Sequence, residues 1–124
     1  MFPECQRLFV LGWLILALGL QGCEFPSDPQ VRRVSIVLRA EDQAEEAFSP
    51  NPIHVPWAGK VVWINEDNFP HSVVAEAKFG PCAFQSEPIG PGKRFSKVFL
   101  KRGVCRYHCG IHGPLSMRGR VIVE

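Results

Sequence analysis

The chain has 124 residues, enough for one small domain and too few for a second catalytic domain. Its 46% hydrophobic and 21% charged residues are typical of a folded globular protein, while eleven Gly and eleven Pro favour many short strands over long helices. The formal net charge of +2 is small, and no Gly-rich phosphate loop or aromatic and basic RNA-binding motif accompanies it. These features argue against nucleic acid as a partner.

The N-terminal segment has the pattern of an export signal. Residues 8–20 form an apolar run, interrupted by two glycines, behind a short stretch whose only basic residue is Arg7. The run is shorter than the roughly twenty apolar residues that a membrane-spanning helix requires. We therefore interpret residues 1–22 as a signal peptide that forms a short helix, and not as part of the folded domain.

The signal ends in the sequence LQGC at positions 20–23, which resembles the lipobox of bacterial lipoproteins. The resemblance implies that Cys23 is acylated and becomes the first residue of the mature protein. Residues 23–33, which contain two prolines, are then expected to be a tether between the lipid and the domain. The expected location is the bacterial cell envelope, with the protein anchored to the membrane and facing the periplasm or the outside.

The remaining sequence predicts a β-rich domain over residues 34–124. Val34, Ile36 and Leu38 alternate with intervening residues as in a half-buried first strand. Further strands are predicted at 53–56, 60–65, 72–75, 94–100, 104–109 and 118–123. Residues 40–48 are acidic with apolar residues at helical spacing, which indicates a short helical turn or a solvated loop without chemistry. The predicted fold is an all-β antiparallel sandwich or barrel.

Sulfur and nitrogen donors are concentrated near the C-terminal end of the sequence. Cys109, His112 and Met117 follow a C-x2-H-x4-M spacing. One thiolate, two imidazoles and a weak axial thioether form the ligand set of blue-copper electron-transfer sites. His71, at the start of another predicted strand, is the natural candidate for the second imidazole.

These segments resemble the plastocyanin, amicyanin and pseudoazurin branch of the cupredoxins, the blue copper proteins. The resemblance is carried by the Pro-His pair within 68–74 and by the ligand segment 107–119. It extends to 48–65 and 90–99, and so covers most of residues 34–123. It implies a Greek-key β-sandwich that holds one copper ion, cycling between Cu(I) and Cu(II).

The resemblance also implies a role for each matching residue. His71 and His112 would bind copper through ring nitrogens, Cys109 through its thiolate, and Met117 weakly along the axis. An asparagine usually follows the first histidine in the family and forms hydrogen bonds near the cysteine sulfur, whereas this chain has Ser72. Its hydroxyl is expected to do similar work with a shorter reach.

The function that follows is a lipid-anchored carrier of single electrons and not an enzyme. Copper oxidases and reductases need further histidine-rich sites, and this chain has four histidines of which the copper site uses two. His54 and His108 are predicted to be surface residues because of strand alternation. The expected partner is a cytochrome, oxidase or reductase. The protein is expected to be a monomer that contacts this partner through the apolar loop around His112.

Two other cysteines need an explanation. In an oxidising compartment Cys82 and Cys105 are expected to form a disulfide, the alternative being two buried free thiols. Cys105, Tyr107 and Cys109 alternate along one strand and should all point inward.

Two other functions remain open from the sequence. One is a structural zinc site made by Cys82, Cys105, Cys109 and His112. The other is copper delivery or storage for a copper enzyme. The basic residues between positions 93 and 120 are either a solvated face or a surface that attracts an acidic partner.

Overall fold

The computed structural model describes residues 28–124. It contains eight strands and one short 3-10 turn. The strands are β1 (Val31–Ile36), β2 (Phe48–Ser49), β3 (Ile53–Val55), β4 (Lys60–Asn65), β5 (Val74–Ala75), β6 (Arg94–Val98), β7 (Gly103–Cys109) and β8 (Gly113–Val123). The 3-10 turn is Ala40–Asp42. The proposed signal peptide and Cys23 lie outside the described residues.

The strands form two four-stranded sheets, with orders β2-β1-β4-β6 and β3-β8-β7-β5. The all-β sandwich is as predicted, but the two sheets are mixed and not antiparallel throughout. β1 pairs with β4 in parallel, and β3 pairs with β8 in parallel. Hydrophobic alternation fixes which side chains face the core but carries no information on strand direction, so the sequence could not reveal these two pairs.

The core between the sheets is rich in aromatic side chains. Trp63 on β4 and Tyr107 on β7 are completely buried, with ring centroids 5.4 Å apart in an edge-to-face arrangement. Phe84, Phe95 and Phe99 surround Trp63 at centroid distances of 5.6, 5.7 and 6.5 Å. Such pairs add roughly 0.5–1.5 kcal/mol each to the free energy gained by burial. The cluster therefore joins the two sheets rigidly.

Two boundaries near the start of the domain differ from the prediction. β1 begins at Val31, so the last three residues of the proposed tether belong to the sheet. It ends at Ile36, and Leu38 beyond it is 55% exposed instead of half-buried. Segment 40–48 does contain a helical turn, at Ala40–Asp42, but its apolar residues Ala40, Ala47 and Phe48 are buried, so this segment is packed and not merely solvated.

The sheets give the domain two ends. β7 begins at one end with Gly103 and finishes at the other end with Cys109. The start of β1 lies at the same end as Gly103. Six residue steps at roughly 3.3 Å each place these ends about 20 Å apart. In the part of the chain described, no helix has the length and apolarity needed to cross a bilayer.

Candidate metal centre

His71 lies just before β5 and is held by backbone hydrogen bonds on both sides. Its N–H donates to the carbonyl of Ile89 at 3.1 Å, and the Ile89 N–H donates back at 2.6 Å. The side chain is completely buried. Asn65 secures the same region, since its amide donates to the carbonyls of Phe69 and Ile89 at 2.7 and 2.8 Å. The ring therefore has one fixed position.

Cys109 and His112 reach the same point from the turn between β7 and β8. Sγ of Cys109 lies 3.9 Å from Nδ1 of His71 and 3.5 Å from Nδ1 of His112. One donor atom from each of the three side chains lies within 4.8 Å of the others. A register shift between His108 and Cys109 in the β7–β8 pairing accompanies this turn. The structure thus brings three of the predicted ligands together.

Met117 is completely buried on β8, four residues into the strand that follows the ligand turn. Its position is fixed by Ala44, which forms an isolated bridge with it. The Ala44 N–H donates to the carbonyl of Ser116 at 2.8 Å, and the Arg118 N–H donates to the carbonyl of Ala44 at 3.2 Å. The segment 40–48, to which the sequence assigned no chemistry, therefore braces the predicted axial residue.

Ser72 connects the two ligand segments, in a way that differs from the expectation. Its backbone N–H, and not its hydroxyl, points to Sγ of Cys109 at 3.4 Å. The hydroxyl oxygen instead accepts a hydrogen bond from the N–H of Gly110 at 2.8 Å. A Cβ at position 110 would lie 2.9 Å from that oxygen, so the close approach depends on glycine.

Asp67 was not recognised from the sequence as part of the site. Its Oδ2 lies 2.7 Å from Nε2 of His71, and both side chains are buried. Burial alone raises the pKa of the Asp67 carboxyl, but hydrogen bonds from His71 and from the backbone N–H groups of Arg39, Asn68 and Ala40 outweigh it and lower the pKa to about 2. The carboxylate therefore stays charged and fixes the tautomer of the ring, leaving Nδ1 free to bind a metal.

Glu41 adds a second carboxylate to this side of the ring. An oxygen of Glu41 lies within 4.8 Å of the donor atoms of Asp67 and His71. The acidic pattern of residues 40–48 indicates a short turn or solvated loop and gives no sign of this contact. The N-x-D sequence at positions 65–67, upstream of the Pro-His pair, is the one signal that could have suggested Asp67, and it is too short to be distinctive.

The donor set fits copper. Imidazole nitrogen suits Cu(II), thiolate and thioether sulfur suit Cu(I), and the cluster offers both types. The other cysteines lie elsewhere, since Cys82 and Cys105 form a disulfide with Cα atoms 5.6 Å apart, and Cys109 is the one free cysteine within residues 28–124. Cys105, Tyr107 and Cys109 all point inward, as strand alternation predicted.

The remaining histidines lie outside the site. His54 is exposed, with its Nδ1 2.6 Å from a carboxylate oxygen of Glu124. His108 faces away from Cys109 but is only half exposed, and its Nδ1 is shielded from solvent, so its prediction as a surface residue was partly wrong.

Comparison with known proteins gives a consistent assignment. The family model of copper binding proteins of the plastocyanin/azurin family matches residues 34–124. A plastocyanin of Mercurialis perennis is 29% identical over 97 residues, which cover 71% of this chain and 98% of the relative. A plastocyanin of Sambucus nigra is 30% identical over 100 residues, which cover 73% of this chain and all of the relative.

Solved structures share the fold. A purple cupredoxin from Nitrosopumilus maritimus superposes with a TM-score of 0.65 at 29% identity, covering 74% of this chain and 98% of the other. A reduced mutant of amicyanin gives a TM-score of 0.63 at 26% identity, covering 80% and 87% of the two chains. The family model matches the described domain from residue 34 to residue 124, which is more than half of the chain. The chain therefore belongs to the plastocyanin/azurin family of copper-binding proteins.

Proposed function

We propose that this protein carries single electrons on one copper ion held by His71, Cys109, His112 and Met117. The observation that carries the proposal is the convergence of two Nδ1 atoms on Sγ of Cys109, at 3.9 and 3.5 Å. Bound copper would supply a one-electron couple between Cu(I) and Cu(II). The residues around it supply a fixed ligand arrangement, which keeps the structural change on electron transfer small.

The two histidines differ in exposure, and this difference suggests the route of the electron. His71 is completely buried, whereas His112 is partly exposed. Exposed apolar side chains adjoin the site, because Ile111 and Leu115 flank His112 and are 50% and 86% exposed, and Phe69 is 59% exposed. We infer that the His112 ring edge is the port, and that a redox protein docks briefly on this apolar surface.

Basic residues do not form one surface beside this port. Lys93 and Arg94 lie at the start of β6, Lys101 and Arg102 lie at the other end of the domain, and Arg118 pairs with Glu45 at 3.3 Å. Their spread argues against a basic patch that steers a partner to the port.

We further propose that Cys23 is acylated and that the protein works as a monomer in the bacterial cell envelope, anchored to a membrane and facing the periplasm or the outside. The LQGC sequence after an apolar run supports the anchor. The disulfide between Cys82 and Cys105 supports an oxidising compartment. A cytochrome, oxidase or reductase remains the proposed partner class.

The alternatives are less well supported. A zinc site needs four ligands, and the disulfide engages two of the four that the zinc hypothesis uses. Copper delivery requires a metal that can leave, whereas His71 and Cys109 are both completely buried. A copper nitrite reductase or multicopper oxidase would need a further histidine-rich copper site, and the described residues contain no other group of histidines that could hold one.

The visible absorption spectrum of the copper-loaded protein tests this proposal. Charge transfer from the Cys109 thiolate to Cu(II) should give intense colour that disappears on reduction. Cys109→Ser should lose the colour, while Cys82→Ser with Cys105→Ser should keep it, because those cysteines lie outside the site. A colourless protein that retains zinc in preference to copper would contradict the assignment.

A further inference from the structure

The end of the domain farthest from the metal centre is where the chain enters the fold. Lys60 at the start of β4 pairs with Val31 at the start of β1 and with Val98 at the end of β6. The Lys60 N–H also donates to the carbonyl of Gln30 at 2.7 Å. The segment that leads back to Cys23 therefore leaves from this end.

The same end exposes large apolar side chains. Trp57 is 49% exposed, Phe79 89%, Leu100 61% and Val104 52%. We call these four residues, together with Lys101 and Arg102, the distal patch.

The distal patch is one continuous surface. The Trp57 indole N–H donates to the carbonyl of Leu100 at 2.9 Å, and the Arg102 guanidinium lies 6.0 Å from the centre of the Trp57 ring. Phe79 and Val104 line a shallow cavity of about 320 Å³ together with the two cations. Single exposed apolar residues are ordinary on a protein surface, but a contiguous group marks an interaction site.

The carboxylates at this end already have partners. An oxygen of Asp28 accepts from the N–H of Gln30 at 2.9 Å, and Glu124 pairs with His54 at 2.6 Å. Lys101 and Arg102 take part in no ion pair within the described part of the chain. They are therefore available to attract an anionic surface.

We propose that the distal patch rests on the surface of an anionic phospholipid bilayer. The inference rests on the proposed acylation of Cys23, and it adds an orientation to that anchor. The eight residue steps from Cys23 to Val31 span at most about 29 Å when fully extended, so the tether keeps this end of the domain next to the bilayer. An exposed tryptophan beside apolar and basic side chains is the combination favoured at the membrane interface.

The orientation has a consequence for electron transfer. β7 starts at the distal patch and reaches Cys109 about 20 Å farther on. With the patch on the lipid, the His112 port faces the aqueous side. The partner is then met above the membrane surface, and not within it.

Tryptophan emission tests the proposal with the mature, acylated protein that begins at Cys23, reconstituted into vesicles of phosphatidylcholine and phosphatidylglycerol. Subtracting the emission of Trp57→Phe from that of the parent isolates Trp57 from the other tryptophans. Phospholipids with brominated acyl chains should quench this Trp57 emission. The double variant Lys101→Glu/Arg102→Glu should lose this quenching. Each cation near an anionic surface raises the equilibrium constant for membrane contact by about fivefold.

A matched control makes the same change in net charge at the opposite end of the domain. Lys93 and Arg94 are exposed and lie at the start of β6, far from Val98 at its patch end. Lys93→Glu with Arg94→Glu should leave the quenching unchanged. If the chain floats with the vesicles but Trp57 is not quenched, the anchor stands and the proposed orientation is wrong. If the chain does not bind the vesicles at all, both the anchor and the orientation are wrong.

Discussion

Nε2 of His71 lies 2.7 Å from the carboxylate of Asp67, and solvent reaches neither side chain. A negative charge held against an imidazole makes that ring a stronger donor and favours the more highly charged metal. We expect Asp67→Asn to raise the reduction potential of the copper site. A rise on the order of 60 mV corresponds to a tenfold shift in a one-electron equilibrium and would be measured by voltammetry.

Glu66→Gln is the matched control for this change. It removes a carboxylate one position away that is exposed and accepts a hydrogen bond from Ser35 at 2.7 Å. Water screens such a charge, so the potential should change little. Equal shifts in the two variants would mean that total charge, and not the contact with His71, sets the potential.

The Asp67 carboxylate also makes the free energy of unfolding depend on pH. The pKa of Asp67 is lowered from its ordinary value of 3.8 to about 2. A lowered pKa stabilises the folded state at pH values above 3.8, and this contribution disappears as the pH falls through the interval down to about 2. Urea unfolding of the metal-free protein should show a difference between the parent and Asp67→Asn that is constant near neutral pH and shrinks below pH 3.8. A difference that grew on acidification would contradict the assigned contacts.

Ser72→Ala should affect both stability and the metal spectrum. It removes the acceptor of the Gly110 N–H, and a partly buried hydrogen bond of this kind typically contributes about 0.5–1.5 kcal/mol. It also loosens the contact between the two ligand segments, so the absorption bands should shift. Ser86→Ala is the control, since the buried Ser86 hydroxyl accepts from the Val73 N–H at 2.8 Å away from the ligand turn. That variant should lose stability without changing the spectrum.

Met117→Leu should retain copper and shift the potential upward. Leucine has a volume close to that of methionine, so the buried site should lose less than about 1.5 kcal/mol of stability. It replaces a weak axial ligand, which tunes the potential, by an apolar group that favours the less charged Cu(I) state. Metal analysis and voltammetry on the same sample measure both effects. Complete loss of copper would show that the thioether is more than an axial ligand.

Replacing both Cys82 and Cys105 by alanine should lower stability without altering the metal centre. The disulfide closes a loop with a sequence separation of 23 residues. A loop of that size is expected to contribute about 3 kcal/mol, chiefly by restricting the unfolded chain. Urea unfolding would measure this loss. A changed visible spectrum would mean that the disulfide also helps to position the ligands.

The predictable parts of this protein are those encoded in short sequence patterns. Strand β4 was predicted with its observed bounds, because Val61 and Trp63 alternate with less buried residues between a glycine and a polar turn. The proposed ligands at the β7–β8 turn were recognisable by their spacing. The burial of Asp67 could not be predicted. An isolated aspartate in a loop is usually a solvent-exposed turn residue, and only tertiary contacts bury it. The brace from Ala44 to Met117 likewise joins segments 73 residues apart by backbone contacts, which leave no trace in residue type.

The parallel pairing of β3 with β8 also constrains when the domain can fold. His54 on β3 is registered with Ile122 on β8, so one sheet closes only after almost the whole domain has become available. Pairings between such distant segments form late, since the intervening chain must first be brought into a loop. A ribosome or an export channel that still holds β8 would therefore keep the second sheet incomplete. The proposed export through a narrow pore would require this kind of delayed closure, which the parallel pairing of β3 with β8 favours.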